Sequence, residues 1–258
     1  MFNGLVDLTV TTLAAVTCAI LIGAVLQRLS GSGMGLVLAP TLTLVMGAAT
    51  GVLLANATTT VSGLLLTLTL RRQVDWRRAA VICACVVPGA VVGALVVRAA
   101  SAAWLQVIVG AAVLGAIAFT ALADRLGRLP HVTRAWPTPV AGVVGGFFNT
   151  VSGVSAPVLV IHSRLTRWEH TSFAATLQPI FMTMGAVSVA AKVLLGSTGV
   201  HELPPLWLLP YVVVLVLVGI GMGSGLARHV PTERAKALAM LLAGIGGASA
   251  LVRGLISL

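Results

Sequence analysis

The chain has 258 residues, of which 58% are hydrophobic and only 9% are charged, and its mean hydropathy is +1.07. Apolar runs of about 20 residues recur from end to end, which excludes a soluble globular domain and predicts an all-α, polytopic membrane protein. The formal net charge of +10 is attributed to basic residues in short loops that anchor the cytoplasmic face, rather than to nucleic-acid binding.

The first half predicts a long apolar helix, a glycine-rich interruption, a short apolar helix and three full-length spans. At about 1.5 Å per residue, the short run Leu36–Met46 covers only about half of a ~30 Å hydrocarbon core. A basic loop, Arg71–Arg78, contains Trp76, a residue type typical of the membrane interface. The predicted apolar segments are Leu5–Leu29, Leu36–Met46, Thr50–Leu70, Ala79–Val97 and Ala103–Ala123.

The interruption Ser30–Gly35 is the stretch that most strongly indicates a functional site. Each Gly in a helix interior costs about 1 kcal/mol relative to Ala, so Gly31, Gly33 and Gly35 disfavour a continuous helix. Backbone that leaves a helix inside lipid is tolerated only where protein or a wet cavity covers its polar groups. A second interruption, Ser152–Pro157, occupies the corresponding place in the second half.

The second half repeats this order after a polar linker that contains four basic or histidine residues and ends near two prolines. The basic loop His162–His170 separates its short apolar run from its first full-length span. The predicted apolar segments are Val140–Val151, Pro157–Ile161, Thr171–Leu195, Leu206–Leu226 and Ala235–Ile256.

The two halves therefore predict an internal repeat. We divide the chain into a first transmembrane repeat (residues 1–123), a cytoplasmic linker (124–136) and a second transmembrane repeat (137–258). Each repeat has a broken or re-entrant hairpin and three transmembrane helices, and local identities align Ser32 with Ser152 and Asn56 with Thr176. If each hairpin returns to its own side, or crosses twice, each repeat crosses an odd number of times and the repeats are inverted, as in many secondary transporters.

The distribution of basic residues predicts the orientation. With the loop Arg71–Arg78 in the cytoplasm, the linker, the loop His162–His170 and the loop Arg228–Lys236 also lie inside. These segments hold most of the 16 Lys and Arg residues, as the positive-inside rule requires. Both termini are then expected outside the cytoplasm.

The two interruptions predict an anion site. Short helices that begin just after them would direct N-termini, with unpaired N–H groups and about half a positive charge, at the membrane interior. Asn56 and Thr59 lie on one face of an apolar span and need polar partners there. The alternative is that the small and polar residues only join helices. The predicted substrate-binding residues are Ser32, Gly33, Gly35, Asn56, Thr59, Asn149, Ser152, Gly153, Ser155 and Gln178, with Arg28 as a candidate charge partner.

Other polar groups indicate little further chemistry. Lys192, near the end of a span, is interpreted as an interfacial residue. All carboxylates lie at the ends of predicted segments or in loops, so a coupled proton would move on the substrate or through a group such as Asp7 or His162. The sequence lacks GxSxG, HExxH and Walker A motifs, and neither an enzyme nor a cofactor or metal site is predicted.

Several of these stretches resemble the TauE/SafE sulfite exporter family. The resemblance lies in the glycine-rich interruption, the run Leu36–Pro40, the polar stretch Ala55–Thr58, the Arg-Arg-Gln-Val-Asp-Trp-Arg loop at Arg71–Arg77, and the Ser152-Gly153 pair that precedes a proline. The resemblance implies a bacterial inner-membrane transporter of small anions, commonly sulfite, sulfonates or related organic sulfur compounds.

The expected function is thus secondary transport of a small anion by alternating access, coupled to a proton or sodium gradient. An anion channel and a non-transporting membrane scaffold or assembly factor are the alternatives. The expected partners are the anionic substrate, the bilayer and a second copy of the chain in a homodimer, with no nucleic acid.

Overall fold

The computed structural model describes residues 10–31, 34–125, 131–198 and 207–258. Within these ranges the chain forms ten helices, seven of them long and apolar enough to cross a membrane, which confirms the all-helical, multi-pass expectation. The helices are α1 (Val10–Ser30), α2 (Met34–Met46), α3 (Ala48–Leu70), α4 (Trp76–Ala99), α5 (Ala102–Arg125), α6 (Pro137–Ser152), α7 (Ala156–Leu165), α8 (His170–Leu194), α9 (Leu208–Leu226) and α10 (Thr232–Ile256).

Two short apolar helices follow the two interruptions, as the sequence predicts. Helix α2 has 13 residues and α7 has 10, and both are too short to cross a ~30 Å core alone. Helix α7 is longer than expected, because it includes His162, which the sequence analysis places in a loop. His162 is only 2% exposed. Its Nε2 lies 3.1 Å from Thr138 Oγ1 and its ring packs edge-on against Trp168. The His162 side chain is therefore surrounded by protein, whereas a loop residue would be in contact with solvent.

Carboxylates cap two of the long helices on the side of the loop Arg71–Arg78. The Asp75 side chain accepts a hydrogen bond from the Arg78 amide at 3.0 Å and begins α4. Glu169 accepts from the amides of Thr171 and Ser172, each at 2.7 Å, at the start of α8. These backbone donors lower the pKa of the Glu169 carboxyl. The Asp75 amide also donates to Thr176 Oγ1 at 2.9 Å, which ties the two capped ends together.

Loss of the α4 cap gives a first prediction. We expect Asp75→Ala to lower the free energy of unfolding by about 1 kcal/mol, because the Arg78 amide loses its acceptor. Asp75→Asn keeps an acceptor oxygen and loses only a partly exposed ion pair with Arg78, so it should stay close to the wild type. Thermal unfolding in detergent measures the difference; equal melting temperatures for the two variants would contradict the capping role.

The two halves interleave rather than form separate bundles. Helix α4 packs chiefly against α6 and α8, and α9 packs chiefly against α1 and α3. Helices α5 and α10 pack along each other, as do α3 and α8. One buried apolar cluster joins α1, α2, α3 and α5 to α9 and α10, and a second joins α4 to α6, α7 and α8. The α3–α8 contact thus lies between the two apolar clusters, where the buried polar residues collect.

Candidate functional site

Buried polar side chains from α3, α6 and α8 meet inside the described bundle. Asn149 Nδ2 donates to Asn56 Oδ1 at 3.2 Å and to Ser188 Oγ at 3.1 Å. Asn56 Nδ2 donates in turn to the Asn149 carbonyl at 3.3 Å. The hydroxyls of Thr150 and Ser188 are 2.7 Å apart, and Ser155 Oγ donates to Asn149 Oδ1 at 3.4 Å. Asn149 is therefore the centre of a polar network that spans three helices and the start of a fourth.

A second amide pair joins α1 to α8. Gln27 Nε2 donates to Gln178 Oε1 at 3.0 Å, and Gln178 Nε2 donates to the carbonyls of Gly31 and Ala174, both at 3.1 Å. Gln27 Oε1 is buried and has no hydrogen-bond partner in the described part of the chain. A buried acceptor without a partner is costly, so this atom is available to a ligand or a water molecule.

The two interruptions lie against each other. Gly31, directly after α1, has a φ of +79°, and Gly153, directly after α6, has a φ of +73°, a backbone conformation that favours glycine. A Cβ added to Gly35 would lie 2.5 Å from the Gly153 carbonyl oxygen, and one added to Gly153 would lie 2.8 Å from Ala39 Cβ. Only glycine allows the backbones to approach this closely.

A small cavity lies where the interruptions meet. It has about 10 Å³ of water-accessible volume, which is room for about one water molecule. The first turn of α2 and the start of α7 both border it, so two helix N-termini with their N–H groups adjoin one space. The cavity is lined by Gln27, Met34, Gly35, Leu36, Thr59, Asn149, Gly153, Val154, Ser155, Ala156 and Phe181.

A larger cavity of about 250 Å³ adjoins the amide pair Gln27–Gln178. Gln27 lines both cavities, so this pair stands between them. The cationic side chain of Arg28 and the polar residues His170 and Thr171 also line the larger cavity.

Most of the residues singled out from the sequence lie in or beside the small cavity. Gly35, Thr59, Asn149, Gly153 and Ser155 line it. Asn56 and Gln178 are one hydrogen bond away from lining residues, through Asn149 and Gln27. Ser152 is buried, and its hydroxyl donates to the Phe148 carbonyl one turn back. Arg28 borders the larger cavity, and its Nε donates to Ser224 Oγ on α9 at 2.9 Å. Ser32 and Gly33, like Asp7, lie outside the described residues.

Three polar residues of this region were not predicted as site residues. Gln27 and Ser188 belong to the amide networks, and Lys192 lies one turn beyond Ser188 on α8. The interpretation of Lys192 as interfacial is wrong: the side chain is 0% exposed. Its position near the end of an apolar segment indicated the membrane interface. Hydropathy indicates how deep a residue lies along a helix, but it does not show whether a neighbouring helix covers the side chain. The available signal for Gln27 was that it falls within the predicted apolar segment Leu5–Leu29, where an amide side chain needs a polar partner.

Comparison with known proteins gives one match. The family described as Sulfite exporter TauE/SafE matches residues 15–250, which is most of the chain. No match is found among curated proteins or among solved structures. The match agrees with the multi-pass architecture. The chain therefore belongs to the sulfite exporter TauE/SafE family, a family of membrane transporters and not of enzymes.

Proposed function

We propose that this protein is a secondary transporter that moves sulfite, a sulfonate or a related small organic anion across the bacterial inner membrane by alternating access. Family membership supports the class of substrate. The single observation that carries the proposal is the small cavity, where the first turn of α2 and the start of α7 border the same space as Asn149 and Thr59. Helix N-termini and neutral hydrogen-bond donors are well suited to bind an anion in a low-dielectric environment.

The proposed site holds the anion by hydrogen bonds from main-chain and side-chain donors. Sulfite and sulfonates present three oxygen atoms that accept hydrogen bonds. Ser155, Thr59 and Asn149 line the cavity, and their donors, which now bond to Asn149 Oδ1, the Ala55 carbonyl and Asn56 Oδ1, would turn to the anion. The N–H groups of the first turns of α2 and α7 add partial positive charge. A cavity of about 10 Å³ is too small for sulfite, so the amide pairs must separate before the anion binds.

Matching contacts support two inverted repeats. The pair Asn149–Asn56 joins the helix before the second interruption to α3, and the pair Gln27–Gln178 joins the helix before the first interruption to α8. Gly153 donates its amide to the Asn149 carbonyl, as Gly31 does to the Gln27 carbonyl, each at 2.8 Å.

The glycine contacts also join helices of the first half to helices of the second half. Gly89 of α4 lies against Val143 and Phe147 of α6, and Gly219 of α9 lies against Leu21 and Val25 of α1. The two amide pairs favour a register in which Asn56 corresponds to Gln178, rather than to Thr176. A repeat of this kind suits alternating access, because one contact set can open to one side while its counterpart stays closed.

Flux through purified protein tests the proposal. In proteoliposomes, we expect uptake of radiolabelled sulfite or sulfoacetate to saturate and to proceed uphill when a proton or sodium gradient is imposed. Asn149→Ala should raise the half-saturating concentration by roughly 10-fold to 100-fold, because a hydrogen bond to a charged ligand is worth about 1.5–3 kcal/mol. Thr69→Ala on the exposed side of α3, where the hydroxyl bonds only to its own helix, is the control and should leave flux unchanged.

The outcomes separate the alternatives. Flux that never saturates and cannot be driven uphill would show that the protein is an anion channel and not a secondary transporter. Absence of flux and of any thermal stabilisation by sulfite, sulfonates or carboxylates would overturn the proposal in favour of a scaffold or assembly factor.

A further inference from the structure

Lys192 is a buried amine without a partner. It is the largest of the fully buried side chains, and its Nζ has no hydrogen-bond acceptor among the described residues. Burying an ammonium group without an acceptor or a counter-charge is strongly unfavourable. A residue with this cost and no structural partner points to a ligand that supplies the missing negative charge.

The position of Lys192 connects it to the polar centre of the bundle. Ser188 lies one helical turn earlier on α8, so the two side chains share a face. Ser188 Oγ accepts from Asn149 Nδ2 at 3.1 Å and is 2.7 Å from Thr150 Oγ1. Lys192 therefore lies one helical turn from the network that borders the small cavity, on the side of the C-terminal end of α8.

The end of α8 does not satisfy the ammonium group. Carbonyls in the last turn of a helix attract cations, but here they already accept main-chain hydrogen bonds. The amide of Leu195 bonds to the Ala191 carbonyl at 3.0 Å, and that of Ser197 bonds to the Lys192 carbonyl at 2.8 Å. Gly196, between these two residues, has a φ of +63°, and the chain turns back at this point.

The same turn carries a second buried polar atom without a partner. Thr198 is 4% exposed, and its hydroxyl lacks a hydrogen-bond partner in the part of the chain that the structure describes. Ser197 Oγ donates to the Ala94 carbonyl at 2.7 Å, which fixes the turn against α4. Two buried donors without partners thus belong to the same helix end, and both are able to donate a hydrogen bond to an anion that reaches them.

We propose that Lys192 and Thr198 bind the transported anion at the C-terminal end of α8, as a second step between the central cavity and the adjacent membrane face. The inference depends on the proposed anion transport and adds to it a charged residue that determines affinity. The donors around the small cavity carry at most partial charges, so a protonated Lys192 adds the full positive charge that selects an anion over a neutral solute.

Charge replacement at Lys192 tests this step. We expect Lys192→Met to raise the half-saturating sulfite concentration at least tenfold and to abolish the stabilisation of the purified protein by sulfite, while Lys192→Arg retains both in part. The unliganded melting temperature of Lys192→Met should equal or exceed that of the wild type, because an uncompensated buried charge is removed. Arg98→Met is the matched control, since Arg98 is an exposed cation that donates to the Leu195 carbonyl of the same turn.

The results separate this inference from the proposed function. If sulfite stabilises the wild type and Lys192→Met equally and their half-saturating concentrations agree, Lys192 has no part in anion binding and the inference is wrong. A lower melting temperature of Lys192→Met with unchanged sulfite affinity would likewise assign the residue a packing role. If no anion stabilises the wild type and none is transported by it, the proposed function is wrong, and so is this inference.

Discussion

Gly35→Ala is expected to abolish anion transport while the protein still inserts in the membrane. The added Cβ would lie 2.5 Å from the Gly153 carbonyl oxygen, well inside van der Waals contact. Because that neighbour is main chain, no side chain can rotate away, and the ends of the two interrupted helices must separate. The helix N-termini would then no longer border one cavity, so their combined attraction for an anion is lost.

Gly221→Ala is the control for this substitution. Gly221 lies inside α9 and no neighbouring atom lies within 4 Å of the position of an added Cβ. Sulfite flux and sulfite-induced thermal stabilisation should therefore both survive in Gly221→Ala and both disappear in Gly35→Ala. Normal flux in Gly35→Ala would show that the contact between the interruptions does not form the site.

The α3–α8 contact gives the second large effect. A Cβ on Gly185 would lie 2.5 Å from the Asn56 carbonyl and would also overlap the Thr60 hydroxyl. A Cβ on Gly63 would lie 2.8 Å from the Gln178 carbonyl. Overpacking of this kind costs about 2 kcal/mol, and we expect each Gly→Ala variant to lower the melting temperature by about 5 °C. Each should also weaken sulfite binding, because α3 and α8 carry one amide of each pair.

The control for the α3–α8 variants is Gly225→Ala. Gly225 lies in α9 with no neighbour within 4 Å of an added Cβ, so Ala should leave the melting temperature equal or slightly higher because of its helix propensity. Small residues are the usual means by which membrane helices pack closely. Equal melting temperatures for Gly185→Ala, Gly63→Ala and the wild type would contradict the close contact of α3 and α8.

The order of helices and the location of the interruptions could be predicted from the sequence because both depend on local composition. Long apolar runs give spans, and Gly-Ser stretches such as Ser30–Gly35 end them. Asn56, Asn149 and Gln178 could be singled out because amides are rare in lipid-facing positions. Their actual partners could not be predicted, since partners depend on which faces of separate helices meet.

The residues that were missed or misplaced share one property. Gln27, His162 and Lys192 all lie near the end of an apolar segment, where water, headgroups and protein are equally compatible with a polar side chain. The register of the proposed repeat was also ambiguous for a local reason. Several Ser and Gly residues in each interruption allow alignments that differ by two positions, and only the contacts of Asn56 and Gln178 favour one of them.

The exchange of helices between the halves has a consequence for biogenesis. Because α4 packs chiefly on α6 and α8, and α9 on α1 and α3, the first half emerges from the ribosome before most of its partner surfaces exist. Its buried polar residues, such as Asn56 and Gln27, lack their hydrogen-bond partners in the bilayer until the later helices are inserted. Assembly is therefore completed only after translation of the last helices, and the two halves expressed as separate polypeptides should depend on each other for survival against membrane proteases.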